Sequence, residues 1–140
     1  MNSRSFGIVV LALLLLVSAA HAWAAAAPSC NGDARAFART DLFFGRARVD
    51  GAVTDAQFDD FVRSEVTPRF PAGLTLLAGI GQFRNAGGTT QVEGANVLIL
   101  LYPLRDAQAD RKIDAIRSGY RRRFEQQSVL RADSVSCVSF

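Results

Sequence analysis

At 140 residues the chain supports one domain with a modest core, and a formal charge of +3 is too small to imply nucleic acid or a membrane surface as its partner. Its single histidine, His21, lies in an apolar N-terminal stretch, so the rest of the chain can build no histidine triad, histidine metal site or histidine-ligated haem. The single lysine, Lys112, is the only candidate for amine chemistry, and neither a metal nor a cofactor is expected.

The first segment is a secretory signal in layout. Arg4 precedes an apolar run from Phe6 to Val17, followed by Ser18, Ala19 and Ala20 and the small-x-small site Ala20-His21-Ala22. Cleavage after Ala22 gives a signal peptide over residues 1–22, an N-terminal arm over 23–39 and a single α+β domain over 40–140. A retained anchor is the rival reading of the same stretch. Cys30 lacks the Leu three positions upstream and the Gly or Ala immediately before it that lipid attachment needs, since Ala27 and Ser29 stand there. The protein is expected in the periplasm or secreted, with no membrane contact after cleavage.

Within the domain, Leu42, Phe43 and Phe44 open a first strand that ends near Ala47, closed by the turn Val49-Asp50-Gly51. Thr54 with Gln57 three residues on is a capping-box signature, and Phe58, Phe61, Val62 and Val66 recur behind it at helical spacing, which predicts a helix over 55–66. Pro68 and Pro71 stop it. The stretch from Leu74 to Phe83, the turn at Gly87-Gly88, and the apolar run from Val92 to Tyr102 predict a β-hairpin. Asp106 can cap a second helix with Ile113, Ile116, Tyr120 and Phe124 on one face, and a last strand runs over about 129–140.

The order strand, helix, strand, strand, helix, strand is the βαββαβ pattern of the ferredoxin-like fold. Right-handed crossovers put both helices on one face of a four-stranded antiparallel sheet ordered 4-1-3-2. The two central strands are apolar at odd and at even positions, whereas a sheet with one wet face should alternate. The uncovered face therefore needs an occupant: a second copy of the chain, a lipid-like ligand, or the N-terminal arm folded across it.

The segments Thr40-Asp41-Leu42-Phe43-Phe44-Gly45-Arg46, Val66-Thr67-Pro68-Arg69-Phe70-Pro71-Ala72-Gly73-Leu74-Thr75, Gly81-Gln82-Phe83-Arg84 and Phe124 to Leu130 together resemble the family called domain of unknown function 3574, small exported bacterial proteins with a Thr-Pro-Arg-Phe-Pro motif. The resemblance implies export and a fold. It implies no activity.

Candidate chemistry is sparse. With Gly87 and Gly88 as a two-residue loop, Gln82 faces Glu93 and Arg84 faces Gln91, so that Gln82, Arg84 and Glu93, joined by Arg46 from the first strand, form a polar cluster able to hold a carboxylate or a sugar hydroxyl. The plainer reading is a cross-strand charge pair. Arg69, held between Pro68 and Pro71, either clamps an anion with its planar fork or hydrogen-bonds the open carbonyls at the end of the first helix. Arg121-Arg122-Arg123 point in three directions on a helix and make a solvated helix end rather than a phosphate patch. Cys30 and Cys137, the only cysteines, are expected to pair, because the end of strand four lies beside the start of strand one.

Two functions follow from these features. The first is a non-enzymatic binding or interaction domain that uses the open sheet face, possible as a homodimer surface, or takes a small anionic or polar ligand. The alternative is a cofactor-free enzyme with Glu93 as base and Arg84 or Arg46 as anion stabiliser. A buried Glu93 with a raised pKa inside a pocket favours the enzyme, and a flat and exposed Glu93 favours binding.

Overall fold

The computed structural model describes residues 29–84 and 87–140. Its main sheet has four strands: β1 (Arg35–Gly45), β4 (Thr75–Arg84), β5 (Thr90–Pro103) and β6 (Leu130–Val138). A small hairpin of β2 (Ala47–Arg48) and β3 (Gly51–Ala52) follows β1. Helix α1 (Asp55–Phe61) runs on into a π-helical turn over Val62–Val66, and α2 (Ala109–Phe124) joins β5 to β6. The sheet order is β4-β5-β1-β6 with every neighbouring pair antiparallel, so β1 and β5 are the interior strands.

The core forms where alternate residues of the two interior strands meet one face of each helix. Leu42 and Phe44 of β1 and Leu98 and Leu100 of β5 are fully buried against Phe58, Phe61, Ile113, Ile116, Tyr120 and Phe124. Phe44 sits at the centre of an aromatic cluster, with ring centroids 4.6 Å from Tyr120, 5.5 Å from Phe58 and 6.0 Å from Phe61. Edge-to-face pairs of this kind each contribute about 1 kcal/mol beyond area burial. The first helix starts as its sequence dictates: Gln57 N–H donates to Thr54 Oγ1 at 3.2 Å, and Thr54 N–H donates to Gln57 Oε1 at 3.0 Å.

The structure moves three expected boundaries. Residues 35–39, read from sequence as part of an arm, belong to β1, where Arg35 pairs with Val138 and Phe37 with Pro103. They carry alanine at alternate positions and no β-branched residue, so local propensity is silent and pairing on both sides of an interior strand decides. Asp106 does not cap the second helix. Its carboxylate accepts from Gln108 N–H at 2.9 Å inside the preceding turn, and α2 begins at Ala109. The hairpin pairs Arg84 with Thr90, so five residues rather than two connect β4 to β5.

Cys30 and Cys137 form a disulfide with Cα atoms 5.5 Å apart. Cys137 lies opposite Ala36 on β6, so the bridge ties the segment preceding β1 to the end of the chain. The signal-peptide segment and the arm up to residue 28 lie outside the described residues. Among the described residues no helix is long and apolar enough to cross a membrane.

Candidate functional site

The longer hairpin connection decides the fate of the expected polar cluster. Observed pairs are Gln82 with Val92, Phe83 with Gln91 and Gly81 with Glu93, one position away from the expected register. Because side chains alternate with period two, that slip places Gln82 and Arg84 on the helix face of the sheet and Glu93 on the opposite, open face. Gln82, Arg84 and Glu93 therefore do not converge.

Glu93 instead works at the end of β1. Its Oε2 accepts from Ala47 N–H at 2.6 Å, and its carboxylate lies so close to Gly45 that a Cβ there would meet Oε1 at 2.8 Å. Gly45 is thus required by a close approach, and Glu93 anchors the turn from β1 into β2. Arg46 points the other way, over Gly94: its Nε donates to Val53 O at 2.7 Å and its Nη1 pairs with Asp55 at 2.7 Å. Tyr120 completes this corner from α2 by donating its hydroxyl to Gly45 O at 2.9 Å. Burial pushes the phenol up to about 12, against the lowering effect of Arg46, with Glu93 raising it further. Every polar group here holds backbone, so Glu93 and Arg46 organise a corner, and they line neither the groove between α1 and β4 nor the one between α2 and β6.

Arg69 reaches back along its own turn. Its Nη1 donates to Glu65 O at 2.5 Å and pairs with Glu65 Oε2 at 2.9 Å, closing a carbonyl at the end of the π-helical turn. Of the arginine run, Arg123 pairs with Asp60 on the first helix at 2.5 Å. Lys112 is held by Asp106 at 2.9 Å with its ammonium 5.5 Å from the Phe70 ring centroid.

Three further features were not singled out from sequence. The first is a chain of hydrogen bonds running outward from the buried Thr40 on the helix face: Thr40 donates to Asp133 Oδ1 at 2.5 Å, so the Tyr102 hydroxyl, 2.9 Å away, must donate to Thr40. Burial acts to raise the Asp133 carboxyl, but hydrogen bonds from Thr40 and Arg131 outweigh it and hold the group below the usual carboxylate range. The second is a polar groove of about 330 Å³ between α2 and the entry to β6, lined by Asp114, Arg117 and Arg121; Arg117 is committed to Val129 O and to Asp114. The third is a groove of about 280 Å³ between α1 and β4, lined by Asp55, Phe58, Asp59, Leu76, Leu77, Ala78 and Asn96.

The open face of the sheet presents exposed apolar side chains. Phe43 and Leu101, both about two-fifths exposed, lie there with Leu77, Phe83 and Leu130, which are more exposed still. In their midst Arg39 Nε pairs with Asp41 Oδ1 at 2.9 Å, two positions apart on β1 and therefore on the same face. No helix or described segment covers this face.

Among solved structures the fold is similar to a phage SAM lyase in complex with S-methyl-5'-thioadenosine, at a TM-score of 0.56 and 16% identity over 81% of this chain and 95% of that one. The apo form of a phage SAM lyase aligns at 0.54 and 18% over the same shares. Likeness at this identity concerns the fold. Among curated proteins none matches the sequence. The family profile described as a protein of unknown function (DUF3574) matches residues 39–140, the whole of the sheet and both helices from the middle of β1 onward, and the chain belongs to that family.

Proposed function

We propose that this chain is an exported, non-enzymatic interaction domain on a ferredoxin-like βαββαβ scaffold, and that it docks through the open face of its sheet onto a second copy of itself. The observation that carries the reading is the uncovered apolar face around Phe43 and Leu101. A four-stranded sheet with strands about 4.8 Å apart and about ten residues long has a footprint of roughly 600 Å² before side-chain relief is added. That approaches the roughly 800 Å² per partner of a standard stable interface. The Arg39–Asp41 pair suits a two-fold axis, since two copies face to face can exchange partners, each arginine meeting the other copy's aspartate. The disulfide and the signal-like N-terminus support an oxidising compartment outside the cytoplasm. Sedimentation equilibrium of the mature protein at micromolar concentration should give the dimer mass, and a single species at monomer mass would overturn the reading.

A second reading, an enzyme, is favoured by the fold likeness to the phage SAM lyase. Glu93, the base in that reading, is turned onto the Ala47 amide and lines neither groove, which supports the binding function instead. Incubation with SAM separates the two: release of S-methyl-5'-thioadenosine above background would favour the enzyme.

A further inference from the structure

Only two polar side chains are buried in the described core, Thr40 and Asn96. Thr40 is satisfied by Tyr102 and Asp133. Asn96 is 7% exposed, and among the described residues its side-chain amide has no hydrogen-bond partner. The amide is not sealed from solvent, since Arg48 Nε is the only buried side-chain atom without a partner among the described residues, so the amide's free hydrogen-bonding capacity opens onto the groove that Asn96 lines. Asn96 occupies an inward position of β5, between Phe44 on β1 and Ala78 on β4, and forms the floor of the groove between α1 and β4.

The rim of that groove is acidic. Asp55 and Asp59 stand one helical turn apart on α1, on the side that faces β4. Asp55 is engaged by Arg46, while Asp59 has no ion-pair partner among the described residues. The walls are apolar, from Phe58 on the helix and Leu76 on the strand. A floor that offers one amide, a rim with an unspent carboxylate and apolar walls select for a cationic head on a short apolar body. No cation of the protein itself fills the place, since the guanidinium of Arg46 is tied to Val53 O and Asp55.

We propose that the groove between α1 and β4 is a binding site for a small organic cation, an ammonium or guanidinium group carried on a short aliphatic chain. Its N–H groups would meet Asp59 and the side-chain oxygen of Asn96, with the aliphatic part against Leu76 and Phe58. The site lies on the helix side of the sheet, so it stands whether or not the open face dimerises. At about 280 Å³ it is at the small end of ligand sites, room for a charged head and a few carbons.

Titration of the 15N-labelled mature protein with n-pentylamine and with agmatine, against n-pentanol, pentanoate and glucose as controls, tests the site. The two cations should shift the Asn96 side-chain Nδ2H2 resonances and the backbone amides of Asp55 to Asp59 in a saturable way, and the controls should not. Asp59→Asn should weaken that binding by about three- to fivefold, the scale of one exposed charge pair, without moving the melting curve. Asn96→Leu should abolish the shift at the groove while leaving the domain folded, since the amide it removes holds no other described part of the protein. No saturable shift with either cation, an equal response to pentanol or pentanoate, or undiminished binding by the Asp59→Asn protein would overturn the proposal.

Discussion

Tyr120 carries its hydroxyl through the aromatic core to the carbonyl of Gly45, and it is fully buried. Its phenol, raised to about 12 by burial, is the group whose titration should be visible in stability. A folded-state value above the unfolded one means the native state holds its proton longer, so the contribution is whole below pH 10 and is lost as pH rises through the folded value. Between pH 10 and 12 unfolding free energy should fall by about 1 kcal/mol per pH unit from this group, steepest near the middle of that range, and Tyr120→Phe should flatten that slope in melting curves recorded over the same range. Arg69 is the other informative single residue. Because it closes the Glu65 carbonyl, Arg69→Ala should cost about 1 kcal/mol and lower the melting temperature by roughly 4 °C. An unchanged melting curve with loss of an anionic ligand would restore the clamp reading. At this scale sequence was informative about type and weak about aim. Thr54 and Gln57 could be paired from spacing alone, and Arg69 could be placed beside a helix end from its flanking prolines. Glu93 could not be aimed, because its target is a backbone amide at the start of a two-residue strand. Asn96 did carry a signal, a polar residue at the inward phase of Leu98 and Leu100, and that phase is the place to look for floors of sites.

Among elements, the helices and strands were legible wherever an apolar period was long, and the failures are all of register or end. The β4–β5 connection shows the mechanism. Gly87-Gly88 is the strongest short-range turn signal in the segment, yet the strands pair with five residues between Arg84 and Thr90. The apolar phase of β5, with Leu98 and Leu100 inward, fixes its face against the core and overrides the turn preference. Pairing at the other end of the sheet was legible because it follows from topology: once the fourth strand lies beside the first, Cys137 meets the segment before Arg35. That disulfide spans 107 residues, and in the chain-entropy picture a loop of this size is worth about 4–5 kcal/mol. Thiol labelling of the unreduced, denatured mature protein should find no free cysteine. Reduction should lower the melting temperature by more than about 10 °C, given the entropy of unfolding of a domain this size.

At the scale of the whole molecule, the sheet separates two surfaces that the sequence could only count as excess apolar residues. One is closed by the helices over Leu42, Phe44, Leu98 and Leu100, and the other presents Phe43, Leu77 and Leu101 with the Arg39–Asp41 pair between them. The rival cover, the N-terminal arm, is weakened from within: residues 35–39 are spent as an interior strand, and Cys30 is held at the end of β6. If a second copy is the occupant, a charge placed on the open face must act on association and not on folding. Leu101→Lys keeps a half-exposed site half-exposed in the monomer, where such a change is worth about 0.5 kcal/mol or less. In a dimer it buries an unpaired ammonium at the centre of the interface, a loss of several kcal/mol that no rim contact offsets. Asp41→Arg should act the same way, setting Arg39 and the new arginine of each copy against those of the other. Both variants should therefore sediment as monomers at concentrations where the parent protein is dimeric, with far-ultraviolet circular dichroism unchanged. If the parent is a dimer and both variants remain dimers, the two copies meet through some surface other than the open face.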